Sequence, residues 1–271
     1  MTGKTNNDNC IYKIVIGPEY KNKQEITSFL KRKKRDKNYK VIDVGGSDGG
    51  DWCEEVVDSI LDYNVPGTYG APKERYNKGE ISFFKGDITT EEGWEEILDY
   101  VKENGKFDFS ICRHTLEDLL YPQFVTDKLE QISKRGWIAV PSKESECRRG
   151  YHPTLLNFRG CGHHHWIYVA YNDKIIGLEK MNWIEAISDL DLSGVDPRLG
   201  GSGWQSDSGP GMAKQELSFY WKNSIDIQYP LANGTHCLPE DYREKNPNLW
   251  EVYRLYKDPW EVWVHFLNKS L

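Results

Sequence analysis

The sequence predicts an α/β protein, a doubly wound parallel sheet with an appended β-rich C-terminal region. Three observations carry that expectation. Up to Pro141, short apolar runs rich in β-branched residues alternate with segments of helical period. One of these runs, Val41-Ile42-Asp43-Val44, passes directly into Gly45-Gly46-Ser47-Asp48-Gly49-Gly50, the pattern of a buried strand ending in a sharp turn before a helix. After Pro141 the rhythm changes to longer stretches of polar–apolar alternation.

Taken in order, Ile11 to Gly17 alternates as a strand, and Ile26, Phe29 and Leu30 mark an amphipathic helix from Lys21 to Lys33. Val41 to Val44 is the first parallel strand. A helix is expected from near Asp51 through Trp52 to Ser59, and Ile60 to Tyr63 is the second strand. Asn64-Val65-Pro66-Gly67 breaks the chain, with a polar loop expected to about Gly79. Ile81 to Phe84 is the third strand. Thr89 and Glu92 read as a capping box for a helix carrying Trp94, Ile97, Leu98 and Val101. Phe107 to Cys112, a helix from Phe124 to Ser133, and Trp137 to Val140 complete the alternation. Beyond it, His163 to Tyr171 and Gln215 to Tyr229 read as antiparallel strands, and Gly200-Gly201-Ser202-Gly203 as a mobile loop. The domain reading is an N-terminal extension (1–36), a cofactor-binding core (37–145) and a β-rich region completing the fold and acceptor site (146–271).

Composition bounds the function. With 271 residues the chain can bury a large core. Thirty-five Lys and Arg against 42 Asp and Glu give a net charge of −7, which argues against duplex nucleic acid as a bulk electrostatic partner. The basic run Lys31-Arg32-Lys33-Lys34-Arg35 ends a helix, where cations are favourable and solvated. Neither a signal peptide nor a membrane span is expected. Six cysteines without a Cys-x-x-Cys pair fit a reducing, cytoplasmic setting.

The glycine turn and the helix after it offer free backbone N–H groups to a nucleotide-like cofactor. A dinucleotide fingerprint would place glycine where Ser47 stands, so the turn disfavours NAD. Asp62 ends the second strand nineteen residues after Asp43, where a carboxylate can accept hydrogen bonds from both ribose hydroxyls of either cofactor class. Gly86-Asp87-Ile88 follows the third strand; Asp87 either bonds an adenine amine or serves as a cap or turn residue.

The pattern Asp43-x-Gly45-x-Ser47-x-Gly49 resembles motif I of class I S-adenosylmethionine-dependent methyltransferases. The fourth-strand run Phe107-Asp108 through His114-Thr115-Leu116-Glu117-Asp118, Pro122, and the fifth strand ending Pro141-Ser142 resemble the later motifs of the ubiquinone/menaquinone methyltransferase-like kind. Two departures are Ser47, for glycine, and Asp118, for a second histidine. The resemblance spans roughly residues 39 to 142. It implies a Rossmann-like fold, S-adenosyl-L-methionine as cofactor, and a pocket comprising Asp43, Gly45, Gly46, Ser47, Gly49, Asp62, Asp87, Ile88, Arg113 and His114. His114 is then a candidate catalytic base, since an alcohol acceptor must lose its proton during attack.

Arg159-Gly160-Cys161-Gly162-His163-His164-His165-Trp166 resembles a Gly-x-x-His-His-Arg-Trp segment found in a subset of methyltransferase-like proteins, viral or bacterial and often encoded near glycan-synthesis genes. His165 stands where arginine is common. On a strand, Cys161, His163 and His165 would share one face and could hold zinc. With no fourth ligand nearby, the expectation is that no metal binds and that His163 or His164 lines the acceptor pocket as an alternative base. The resemblance thus implies O-methylation of a sugar, glycan or small-molecule hydroxyl. The rival from another class is a non-catalytic scaffold partnering a glycosyltransferase.

Overall fold

The computed structural model describes residues 10–46, 56–64, 72–147, 159–171, 173–180 and 216–229. The helix expected after the glycine turn begins outside these residues, as do Ser47, Gly49 and the 200–203 loop.

The apolar runs become strands because burial on both faces selects them. Val41–Val44 (β2) and Ser59–Asp62 (β3) are buried at all four positions, and Phe109–Arg113 (β5) at four of five. With Cys10–Gly17 (β1), Ser82–Lys85 (β4), Arg135–Pro141 (β6) and Glu216–Lys222 (β9), they form a seven-stranded sheet in the order β1-β9-β6-β5-β2-β3-β4. The pairs β2–β3, β2–β5, β3–β4 and β5–β6 are parallel. Helices Glu19–Lys33 (α1), Pro72–Asn77 (α2), Glu92–Asn104 (α3) and Pro122–Ile132 (α4) lie between these strands along the chain. The fold is therefore a Rossmann-like, doubly wound α/β sheet, as expected. From β2 the chain winds outward through β3 to β4, then returns to β5 and winds the other way to β6. The switch point lies between β2 and β5, where ligands bind at the carboxyl edge of such sheets.

Ile26 and Leu30 of α1 belong to one buried cluster with Val41, Ile60, Phe109, Ile111 and Trp137. Each fully buried aliphatic side chain of this kind contributes roughly 1.5–3 kcal/mol. Trp94, Trp137 and Trp221 are the largest fully buried side chains among the described residues. Gly136 is glycine for a packing reason, since a Cβ there would lie 2.5 Å from Trp221 Nε1 and 2.4 Å from Ser110 Oγ.

A second, three-stranded sheet has the order β10-β8-β7, from Trp166–Tyr171 (β7), Lys174–Glu179 (β8) and Ile227–Gln228 (β10). Its aromatics pack on one another: the Tyr168 and Tyr229 hydroxyls lie 3.3 Å apart, and Trp166 meets the Tyr229 ring edge-on at 4.9 Å. A short helix, Lys143–Glu146 (α5), precedes it, capped by Ser142. The chain divides into two compact units. One comprises Met1–Val15, Glu19–Val140 and Ser218–Ile225; the other comprises Ile16–Pro18, Pro141–Leu217 and Asp226–Leu271. These bounds differ from those drawn on the sequence at 36 and 145. Among the described residues no helix is long and apolar enough to cross a membrane.

Several expectations need correction. Val56 to Ser59 is not helical. The Asp58 N–H donates to Val41 O at 2.9 Å and its Oδ2 accepts the Val41 N–H at 2.8 Å, which draws the segment into register with β2. The polar loop contains α2, whose proline sits at the first helical position, where its missing N–H costs nothing. The Thr89–Glu92 capping box does not form. Asp87 Oδ1 accepts both the Thr89 N–H and its hydroxyl, and the Gly93 N–H donates to Thr90 Oγ1 instead. A carboxylate is the stronger local acceptor, so it wins the threonine. The Gln215–Tyr229 stretch, described from residue 216, divides between the two sheets. Its first strand, β9, enters the main sheet between β1 and β6, and β10 runs parallel to β8.

Candidate functional site

At the switch point, Gly45 adopts φ +77°, a left-handed conformation that glycine takes without a Cβ penalty. Its N–H donates to Leu61 O at 2.9 Å, fastening the turn to β3. A Cβ at Gly45 would meet Thr115 Oγ1 at 2.6 Å, and one at Gly46 would meet Asp43 Oδ2 at 2.0 Å. The two glycines thus let the turn lie directly on the buried Asp43 carboxylate and against the segment after β5. Asp43 supports the turn from beneath, whatever else binds there.

The neighbouring strand ends add acids. Asp62 is buried at the end of β3 and its Oδ1 accepts the Asn64 N–H at 2.7 Å. Gly86 N–H donates to Asp62 O at 3.0 Å, placing Asp87 beside it at the end of β4. Asp87 is exposed and closes its own turn onto Thr89, so the turn role left open on the sequence is occupied. The Ile88 carbonyl accepts the Trp94 indole N–H at 2.9 Å, which leaves this position a packing duty as well.

On the other side of the switch point, β5 delivers Arg113 and His114. The Arg113 guanidinium pairs with Glu19 at the start of α1. His114 holds φ +47°, a strained value for a residue with a Cβ, while its N–H donates to Ala139 O at 2.8 Å. Its ring Nδ1 lies 3.1 Å from Oε1 of Glu117, which is fully buried in a single 3-10 turn, Leu116–Asp118. Glu117 Oε2 is buried and has no hydrogen-bond partner among the described residues. Cys112, one residue before Arg113, is inert by comparison: burial pushes its thiol far up, and the Asp43 charge adds to this.

The histidine segment lies in the other compact unit. His163 to His165 do not belong to a strand, since β7 begins only at Trp166. The His164 N–H donates to Cys161 O at 3.3 Å, closing a four-residue turn over Cys161-Gly162-His163-His164. The turn brings Cys161, His163 and His164 together, with ligand atoms within 4.8 Å of one another. His165, which strand geometry would have placed with them, is not in that group. His164 Nδ1 lies 2.6 Å from Oε1 of Glu146, and Lys180 Nζ lies 2.8 Å from its Oε2. Burial alone would favour the neutral acid at Glu146. The hydrogen bonds and charges of His164 and Lys180 outweigh it and hold the carboxyl below its usual range.

Glu117 and Glu146 are the two residues that sequence reasoning missed as site members. Glu117 stood in the motif run three residues after His114, the spacing that lets two side chains meet on one helical turn. Glu146 gave no comparable local signal, because its partners His164 and Lys180 lie 18 and 34 residues away.

No family model and no curated protein matches the sequence. Several solved structures align with it at low identity. A Bacillus halodurans C-125 protein, described provisionally as a methyltransferase, aligns at TM-score 0.37 and 10% identity, covering 74% of this chain and 99% of its own. The YcgJ protein of Bacillus subtilis aligns at TM-score 0.35 and 12% identity, covering 75% and 95%. A cyclopropane-fatty-acyl-phospholipid synthase-like protein of Lactobacillus casei ATCC 334 aligns at TM-score 0.34 and 15% identity, covering 77% and 96%.

Proposed function

We propose that the chain is a methyltransferase that binds S-adenosyl-L-methionine at the carboxyl edge of the sheet, between β2 and β5. The observation that carries this reading is the chemistry of that edge. Among the described residues, Asp43 lies beneath the turn after β2, Asp62 ends β3 and Asp87 follows β4, while Arg113 is paired with Glu19 and Lys85 is exposed. Such an edge suits a ligand bearing a sulfonium, an ammonium group and ribose hydroxyls. Among the described residues, the carboxylates at this edge disfavour a pyrophosphate. The tight turn at Gly45 and Gly46 lets a polar cationic group approach this edge without a Cβ in the way.

When bound, the donor supplies an already activated methyl group, so the protein's task is to position an acceptor and receive its proton. His114 is the base in this reading. With Nδ1 toward Glu117, the ring presents Nε2 to an acceptor hydroxyl, takes up its proton as the O–CH₃ bond forms, and becomes an imidazolium that Glu117 stabilises. Asp62 holds the ribose hydroxyls. A sugar or glycan hydroxyl as acceptor is the finer reading, supported by the resemblance of the Gly160–Trp166 segment to glycan-associated proteins.

Calorimetric titration with S-adenosylhomocysteine, with NAD as control, tests the reading. One-site binding of the former alone is expected, lost in Asp62→Ala and Gly45→Val. His114→Ala should retain binding and slow transfer about 10²–10⁴-fold, the usual contribution of a general base. A folded protein that binds neither ligand overturns the reading in favour of the scaffold role.

A further inference from the structure

We propose that Cys161, His163 and His164 bind one divalent transition-metal ion of the zinc class, with a fourth position left to an oxygen ligand. The donor set is the first argument. One thiolate and two imidazoles form the borderline-soft combination that selects zinc or cobalt over magnesium or calcium. The hydrogen-bonded turn supplies the second. It folds Cys161 back toward His164, so three donors from four consecutive residues converge within 4.8 Å. A zinc tetrahedron with bonds of about 2.0–2.3 Å has edges near 3.3–3.8 Å. Rotation of the exposed His163 side chain can close the difference.

The third argument is the support behind the donors. Metal-binding histidines commonly give their other ring nitrogen to a carboxylate, which fixes the tautomer and the ring plane. Glu146 does this for His164 at Nδ1, so the nitrogen presented to a metal is Nε2. Glu146 is itself fully buried and tied to Lys180, whose ammonium also donates to the Cys161 carbonyl at 2.7 Å. The same lysine therefore locks the turn while Glu146 neutralises its charge. Gly160 makes this possible, because a Cβ there would fall 2.4 Å from Glu146 Oε2. Cys161 and His164 sit inward and His163 outward, so the remaining coordination position faces solvent and takes water or an oxygen of a small ligand. Cys161 binds as the thiolate and its proton passes to bulk water.

This assignment does not depend on the methyl-transfer reading, and its test uses the metal alone. The full-length protein, stripped with chelator, is titrated with Co²⁺ and followed by absorption. One equivalent should produce a thiolate-to-cobalt charge-transfer band with visible bands of four-coordinate strength, both displaced by Zn²⁺. Cys161→Ser should abolish the charge-transfer band. His163→Ala, at an exposed position, should weaken Co²⁺ binding at least about tenfold, and Glu146→Gln about 10–100-fold. The proposal is overturned by the absence of the band in protein with native circular dichroism. It is equally overturned if the spectrum and affinity are unchanged in both Cys161→Ser and His163→Ala.

Discussion

Glu117 Oε1 and His114 Nδ1 face each other at 3.1 Å, the carboxylate fully buried and the imidazole half-buried on a left-handed backbone. The contact fixes which ring nitrogen the carboxylate holds. It also gives a reason for the strained φ of His114: the chain turns back immediately after β5, so that a residue three positions on can hold the ring. Strain of this kind persists where surrounding structure over-determines it.

Replacing Glu117 with glutamine keeps the shape and removes the charge that supports an imidazolium. In methyl-transfer assays Glu117→Gln should lower kcat about 10–100-fold, as loss of an orienting carboxylate does elsewhere. S-adenosylhomocysteine affinity should change by less than about twofold. A fall in affinity with unchanged kcat would instead make Glu117 a cofactor ligand.

Gly45→Ala should destabilise the protein by about 1–3 kcal/mol in urea unfolding, because a left-handed alanine is strained and its Cβ meets Thr115 Oγ1 at 2.6 Å. Combining it with Thr115→Ser removes a methyl group lying 2.8 Å from that Cβ and should recover part of the loss. Additive loss in the double variant would show that the two residues do not press on each other.

Asp108 joins three strand starts. Its Oδ2 accepts the Lys40 N–H at 2.9 Å and its Oδ1 meets Lys134 Nζ at 2.7 Å. Partial burial pushes its carboxyl up, but the Lys134 and Lys40 hydrogen bonds, with the charges of Lys134 and Arg135, bring it below its ordinary value. A folded-state value below the unfolded one means the stabilisation is full above the unfolded value, near about 3.9, and is lost as pH falls through the folded value. Asp108→Asn should therefore cost about 1–2 kcal/mol at pH 7, and the gap to wild type should close in unfolding titrations below about pH 4.

Cys112 and Cys147 are free and buried. Burial pushes the Cys147 thiol up to about 12, with the Glu146 charge adding to it. Both thiols should react at least about 10³-fold more slowly than an exposed cysteine at pH 8, and recover normal rates in denaturant. Peptide mapping after timed alkylation reads each position separately.

Much of the parallel core was legible from residue type alone. Runs such as Val41–Val44 and Phe109–Cys112 are apolar because both faces are covered, and a pattern that local survives any arrangement of neighbours. His114 and the glycine turn were legible for the same reason, being fixed by residues adjacent in the chain. The place of β9 was not, because alternation reports which faces are buried and not which strand lies alongside. The histidine segment was misread for a different cause. Polar–apolar alternation from His163 counts as a strand until one knows that Lys180 and Glu146 hold the Cys161 carbonyl and His164 ring in a turn.

The position of β9 bears on how the protein is made. Ser218 of β9 reaches Val15 of β1, 203 residues away, and the strand lies between β1 and β6. During synthesis, β1 emerges before β9 and must wait for a neighbour translated 203 residues later. The inner strands β2 to β6 can pair as they appear, whereas the outer edge closes only after residue 222 has left the ribosome. Contacts of such long sequence separation are slow to form. Until then, β6 offers a waiting chain an unpaired apolar edge, so truncation before residue 216 should produce an aggregating product rather than a smaller folded one.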